Sequence, residues 1–165
     1  DFLAASFNGM TVAEKLTEQT GVIGEKIEIG SFERLSAPFV GSYIHAGNKI
    51  ATLVGLSANV DGAAEAAKDV AMQAAAMNPV ALNEEGVDQS IIDKEIEIAK
   101  DQLRQEGKPE EMLDKIAQGK LKRFFKDNTL VNQDFIKDSK QSVAQYVKSV
   151  DSALEVTGFT RVALG

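Results

Sequence analysis

The 165 residues contain no cysteine and no tryptophan, only one histidine, His45, and only three prolines. Without cysteine there can be no disulfide framework, thiolate metal site or cysteine nucleophile, and an intracellular soluble protein is the simplest expectation. With a single imidazole and no G-x-S-x-G elbow, a Ser-His-Asp triad has little to draw on. Both phosphate-binding signatures, G-x-x-x-x-G-K-[ST] and G-x-G-x-x-G after a strand, are missing, so this chain is not expected to bind a nucleotide itself. Gly119 and Lys120 sit within a predicted helix whose backbone N–H groups are already used. The carboxylates between Asp127 and Asp134 do not have EF-hand spacing, and no metal or cofactor is expected. No apolar run approaches the ~20 residues needed to cross a bilayer. The opening DFLAASFNGM has neither the basic region of a signal peptide nor an initiator methionine, which suggests a processed chain or a fragment. Positive charge is also in deficit: 18 Lys and Arg face 25 Asp and Glu, a net charge of −7. That balance disfavours nucleic acid, whose phosphates bind cationic surfaces by releasing counterions.

What is present is a globular composition, 44% hydrophobic and 26% charged, long enough for one domain or a core with a projecting element. Thr11, with Glu14 three residues on, has capping-box spacing, and Gly21 suggests a stop, predicting a helix over about 11–20. In EKIEIGSFERLS, Ile27 and Ile29 alternate with Lys26 and Glu28 as in a strand, and Gly30 marks a bend where the parity slips. FVGSYIHA and KIATLVGL read as two strands joined by a two-residue GN turn, with Ser42, Ile44 and Ala46 on one face and Tyr43 and His45 on the other. DGAAEAAKDVAMQAAAMNP is a small-residue helix, capped by Asp61 and ended by Asn78 and Pro79. Ile92, Ile96, Ala99 and Leu103 form one apolar stripe, and Leu113, Ala117, Leu121 and Phe124 form a second. Gly107 and Pro109 lie between them, so an antiparallel helical hairpin is predicted. One more amphipathic helix over SKQSVAQYVKSV and a strand in GFTRVALG complete the chain. This order predicts a two-layer α+β fold, with an antiparallel sheet of three to four strands packed on helices and the hairpin inserted.

Few features point to chemistry. Lys120, Lys122, Arg123 and Lys126 flank Phe124 and Phe125, but cations near a helix C-terminus are ordinarily a solvated face. A small acid/base hydrolase requires two carboxylates facing each other across a cleft, which no spacing here specifies. His45 taken alone reads as a half-exposed strand residue making one hydrogen bond.

A resemblance changes that reading. GVIGEKIEIGSFERL, GSYIHAGNKIATLVG, KDVAMQAAAMNP, EGKPEEMLDKIAQGKLKRFFKDNTLVNQDFIKDSKQSV and VTGFTRVALG resemble, in this order, the C-terminal part of the core, or dimerisation region, of bacterial elongation factor Ts. The resemblance runs from about Thr11 to Gly165. It implies that residues 1–24 are a remnant of an N-terminal core subdomain and that residues 25–165 are the C-terminal core subdomain, with the hairpin inserted at about 90–127. It also implies a cytoplasmic guanine-nucleotide exchange factor in translation elongation. Such a factor binds elongation factor Tu in its GDP-bound and nucleotide-free forms, disturbs its Mg²⁺ and phosphate contacts and lets GDP leave. No substrate bond changes, so the expectation is a factor that acts by binding, is not an enzyme, and needs no cofactor, nucleic acid or membrane. A homodimer remains open. The alternative is an interaction or dimerisation module without exchange activity in this fragment.

The family's Ile-Gly pair falls on Ile23 and Gly24 and its Tyr-x-His on Tyr43 and His45, while Val143 falls in its C-terminal contact. All five are expected to bind the partner. The family's N-terminal three-helix domain and Thr-Asp-Phe-Val wedge do not appear here. Asp1 and Phe2 only superficially resemble the wedge, so a weak interaction with elongation factor Tu and poor exchange are expected of this chain alone.

Overall fold

A computed structural model describes residues 1–45 and 47–165; Ala46, expected beside Ser42 and Ile44, lies outside the described residues. The chain divides into two units, Asp1–Arg34 and Leu35–Gly165.

In the first unit, strands β1 (Ser6–Phe7) and β2 (Met10–Thr11) pair antiparallel. Asn8 and Gly9 join them at φ 50 and 83, both left-handed as a type I′ turn requires. Helix α1 (Val12–Ile23) begins at the predicted capping box, with the Glu14 amide donating to Thr11 Oγ1 at 3.1 Å and the Thr11 amide donating to Glu14 Oε2 at 2.7 Å. The donated backbone hydrogen bond from Thr11 holds the Glu14 carboxyl below the usual carboxylate range. The helix continues past Gly21 and stops at Gly24, which takes the left-handed conformation at φ 81. A glycine tolerated inside a helix is not a stop; one whose φ is positive is.

Residues 24–38 form neither helix nor strand, which corrects the strand expected around Ile27 and Ile29 and the bend at Gly30. Alternation makes a segment suitable for a sheet, but a strand exists only where its N–H and C=O groups meet a ladder partner.

The second unit is built on an antiparallel sheet of three strands, β3 (Phe39–Ile44), β4 (Ile50–Leu56) and, much later, β7 (Val156–Ala163), in the order β3-β4-β7. The β3–β4 hairpin pairs Tyr43 with Thr52 and Ile44 with Ala51, and the His45 amide donates to Ile50 O at 2.8 Å. Pairing ends at His45 and Ile50, so the connection is longer than the two residues expected, with Gly47 and Asn48 at φ 84 and 55.

Helix α2 (Ala63–Met77) lies on one face of this sheet. Its N-cap is Gly62 at φ 85, without a side-chain hydrogen bond, so Asp61 does not cap it. Ala66, Ala67, Val70, Ala71 and Ala74 pack with Val54, Leu56, Leu130, Phe135, Val143, Val147 and Leu154 in one buried core. Small side chains bring helix and sheet unusually close: a Cβ on Gly41 would stand 2.4 Å from the Ala67 Cβ. On the same face, Arg161 Nε donates to Ala75 O at 3.2 Å, near the C-terminus of α2. The opposite face of the sheet leaves Val40, Ile44 and Val162 exposed.

Helices α3 (Gln89–Gln105) and α4 (Glu110–Asn128) run antiparallel, with Lys100 Nζ 2.7 Å from Asp114 Oδ1 and Arg104 Nε 2.8 Å from Glu110 Oε1. Gly107 at φ 75 turns the chain, and its amide and that of Lys108 donate to Arg104 O and Leu103 O, the two bonds of a Schellman motif. Ala99, Leu103, Leu113, Ala117 and Leu121 are buried between or beneath the helices, as the stripes predict. Phe125 joins them in place of Phe124, which is only partly buried. Lys120, Arg123 and Lys126 reach Gln102, Asp127 and Asp134 respectively, so the cationic face is largely engaged within the chain.

The short strands β5 (Asp134–Phe135) and β6 (Asp138–Ser142) precede helix α5 (Val143–Val150), which Ser142 and Gln145 cap with a second capping box. Two polar residues four apart on α2 hold this segment. Asp69, 6% exposed, accepts from Lys137 Nζ at 2.6 Å and from the Tyr146 hydroxyl at 2.5 Å, while the Tyr146 ring stacks on Phe135 at 4.0 Å. Gln73 is wholly buried; it donates to Asp134 O and Gln133 Oε1 and accepts from the Ile136 amide at 2.8 Å.

Burial, and then the Asp69 carboxylate, push the Tyr146 phenol well above its ordinary value. The unfolded chain loses this proton near pH 10, whereas the folded chain keeps it to higher pH. Above pH 10 the unfolded state then binds fewer protons, so the stability contributed by Tyr146 is fully present below that pH and is lost as pH rises. Melting temperature should accordingly fall between about pH 10 and 11.5, and Tyr146→Phe should flatten that fall. Identical alkaline slopes in the two proteins would refute the assignment.

Candidate partner-binding surface

In Asp1–Arg34, Ile23 ends α1 and is 57% exposed. Gly24 follows in the left-handed conformation, its amide donating to Thr20 O at 2.9 Å, with open space where a Cβ would stand. The pair forms an apolar knob on a corner that strains any residue with a side chain at position 24.

In Leu35–Gly165, Tyr43 and His45 lie on the α2 side of β3 and just beyond its end, where strand periodicity places them. Tyr43 packs against the buried core. Its carbonyl is 3.5 Å from the hydroxyl of Thr52, which also donates to Ala71 O at 2.7 Å. The Tyr43 hydroxyl meets His45 Nδ1 at 3.3 Å, with the two rings edge to face at a centroid distance of 5.8 Å. The backbone of His45 is held on both sides, by the bond to Ile50 O and by the Asn48 amide donating to its own carbonyl at 3.0 Å. A half-buried imidazole on a fixed backbone, with one ring nitrogen engaged, is suited to recognition because little freedom remains to be lost on binding.

Val143 is different. It is fully buried in the core, at the first position of α5. It supports the helix from beneath, and the α5 side chains open to solvent are those of Gln145, Lys148 and Ser149. With no exposed surface of its own, Val143 offers nothing for a partner to touch directly in this conformation.

The structure thus brings Tyr43 and His45 together, seats Val143 in the core against which Tyr43 packs, and carries Ile23 and Gly24 on the other unit. Among the described residues, no group of three or more His, Asp or Glu is placed to hold a metal ion, and no helix is long and apolar enough to cross a membrane. The Asp69–Gln73 network was missed in the sequence, although two polar residues four apart in an alanine-rich helix were a visible sign of it. The Asn8-Gly9 turn was also missed, although Asn-Gly is itself a strong hairpin signal.

Comparison with known proteins extends this picture to the whole chain. A sequence model of the family described as Elongation factor TS matches residues 1–165. Over its full length the chain is 78% identical to Elongation factor Ts of Christiangramia forsetii and 72% identical to that of Flavobacterium psychrophilum. It is 48% identical over 166 aligned positions to the protein of the same name from Amoebophilus asiaticus. In each case it spans 60% of the relative's length. With the family match running unbroken through both units and through all five residues singled out above, the chain belongs to the elongation factor Ts family.

Proposed function

We propose that this chain is the partner-binding core of a guanine-nucleotide exchange factor for elongation factor Tu, acting in the cytoplasm during translation elongation. The observation that carries the reading is the family match across residues 1–165, and the Tyr43–His45 pair on its fixed strand supplies a recognition element. Exchange then follows from linkage: a protein that binds the nucleotide-free GTPase more tightly than the GDP-bound one weakens GDP by the same factor. No bond is made or broken, and the chain acts by binding. Residues 1–24 are the remnant of an N-terminal core subdomain, Ile23, Gly24, Tyr43 and His45 touch the GTPase directly, and Val143 contributes through the exposed side chains of α5 that it supports.

Release of labelled GDP from elongation factor Tu tests this. Acceleration that is weak but rises with chain concentration is expected; measurable binding with no acceleration at any concentration would refute it. His45→Ala should raise the concentration needed for half-maximal effect about tenfold, the loss of one good hydrogen bond and its packing. Its melting temperature should stay within about 2 °C, because a half-buried residue beyond the strand end carries little core. Unfolding with residual binding intact would instead make His45 structural. The exposed Val40, Ile44 and Val162 face favours a second reading, a dimerising interaction module without exchange activity. Sedimentation showing a dimer, together with no GDP release, would decide for it.

A further inference from the structure

We infer that Tyr43 is a positioning residue that locks His45 in the Nε2–H tautomer, so that the ring presents an N–H donor to an acceptor oxygen, a carbonyl or carboxylate, on the partner protein. This deepens the proposed contact and rests on it. Three observations lead there. The Tyr43 hydroxyl lies 3.3 Å from Nδ1 of His45, and among the described residues it meets no other side-chain or backbone acceptor. The Tyr43 ring is packed against the core and its strand is paired residue by residue with β4, so the hydroxyl is a fixed reference point. The backbone of His45 is tied at both its amide and its carbonyl, leaving rotation of the side chain as its main freedom.

The direction of the hydrogen bond follows from the two groups. A phenol is a good donor and a poor acceptor, because its lone pair is drawn into the ring, whereas the bare nitrogen of a neutral imidazole is a strong acceptor. The hydroxyl therefore donates to Nδ1. A neutral imidazole has only one N–H, so occupying Nδ1 as an acceptor places the proton on Nε2. Nε2 is the ring nitrogen farther from the strand, and it becomes the group available to a partner. A donor fixed in place selects an acceptor opposite it and rejects a second donor, which gives the contact chemical specificity as well as shape. Without the hydroxyl the ring would exchange between tautomers and offer a donor only part of the time.

His45 is the only histidine in the chain, so one imidazole gives the entire signal in a ¹⁵N-labelled sample. Long-range ¹H–¹⁵N correlation at a pH where the ring is neutral should show the Nε2–H pattern in the unmodified chain. Tyr43→Phe, which keeps the ring and removes the hydroxyl, should shift it toward an average of the two tautomers. An Nδ1–H pattern in the unmodified chain, or an unchanged pattern in Tyr43→Phe, overturns the lock whatever the partner does. Binding to elongation factor Tu reads the second half of the inference. His45→Gln sets an amide donor near the place of Nε2 and should lose no more than threefold, whereas His45→Asn, which can satisfy only the Tyr43 side, should fall as far as His45→Ala. Tyr43→Phe should weaken binding three- to fivefold with melting unchanged. Equal losses in His45→Gln and His45→Asn would overturn the donor assignment while leaving the exchange reading intact. If His45→Ala binds like the unmodified chain, the contact itself is refuted, and this inference with it.

Discussion

Gly41→Val is expected to lower the melting temperature by on the order of 10 °C. A Cβ at position 41 would stand 2.4 Å from the Ala67 Cβ and 3.2 Å from the Ala67 carbonyl carbon. Neither obstacle is the flexible end of a side chain: Ala67 is fully buried in the second turn of α2, whose neighbours Ala66, Val70 and Ala71 are buried too. The helix can make room only by lifting off β3 and β4 along its length, which opens gaps in a close-packed core. Overpacking of this sort typically costs 1–3 kcal/mol and more where backbone must move, so a cost of about 3 kcal/mol is reasonable. At this chain length that corresponds to roughly 10 °C. Thermal unfolding followed by circular dichroism measures it, and a double-mutant cycle identifies the cause. Gly41→Ala combined with Ala67→Gly should recover most of what Gly41→Ala loses, less the ~1 kcal/mol penalty of glycine inside a helix. Independent, additive losses would show that contact between these two residues is not the reason.

Gln73→Leu is expected to cost a similar amount, about 3 kcal/mol, by a different mechanism. Leucine fits the volume and belongs in a core, yet the glutamine amide is the partner of three groups: the Ile136 amide, Asp134 O and Gln133 Oε1. Each group left without a partner in a buried site costs about 1–3 kcal/mol, and Gln73 and Gln133 are nearly or wholly shielded from water. The damage should be local. The turn between β5 and β6 and the start of α5 should gain hydrogen exchange more than the β3–β4–β7 sheet does. Uniform loss of protection would argue against that, as would a more stable protein. Under the proposed function, in which α5 faces the partner, Gln73→Leu should also weaken binding to elongation factor Tu at temperatures well below its melting.

Much of this was legible from local pattern. The Thr11–Glu14 box, the alanine helix ending at Asn78, the two apolar stripes around Gly107 and the alternation of Tyr43 with Ile44 all follow from periods of 3.6 and 2 and from residues with restricted backbones. Where two glycines competed to end α1, only the backbone conformation at Gly24 separated them. The candidate site was legible in part. His45 and its face could be placed by counting along the strand, but Val143 could not, because an amphipathic helix has a buried face whether or not the opposite face binds anything.

What the sequence determined by itself is therefore the helices α1 to α5 and the strands β3, β4 and β7, the absence of any thiolate, and, through its motifs, the family. Tertiary structure decided whether residues 24–38 pair as a strand, how closely α2 approaches the sheet, and what Tyr43 offers His45. It also decided that Asp69 and Gln73 act on groups more than 60 residues away. The reason is physical. Propensity and periodicity depend on neighbours along the chain, whereas a ladder partner, a 2.4 Å approach or a buried hydrogen bond depends on which distant atoms the packed core brings alongside.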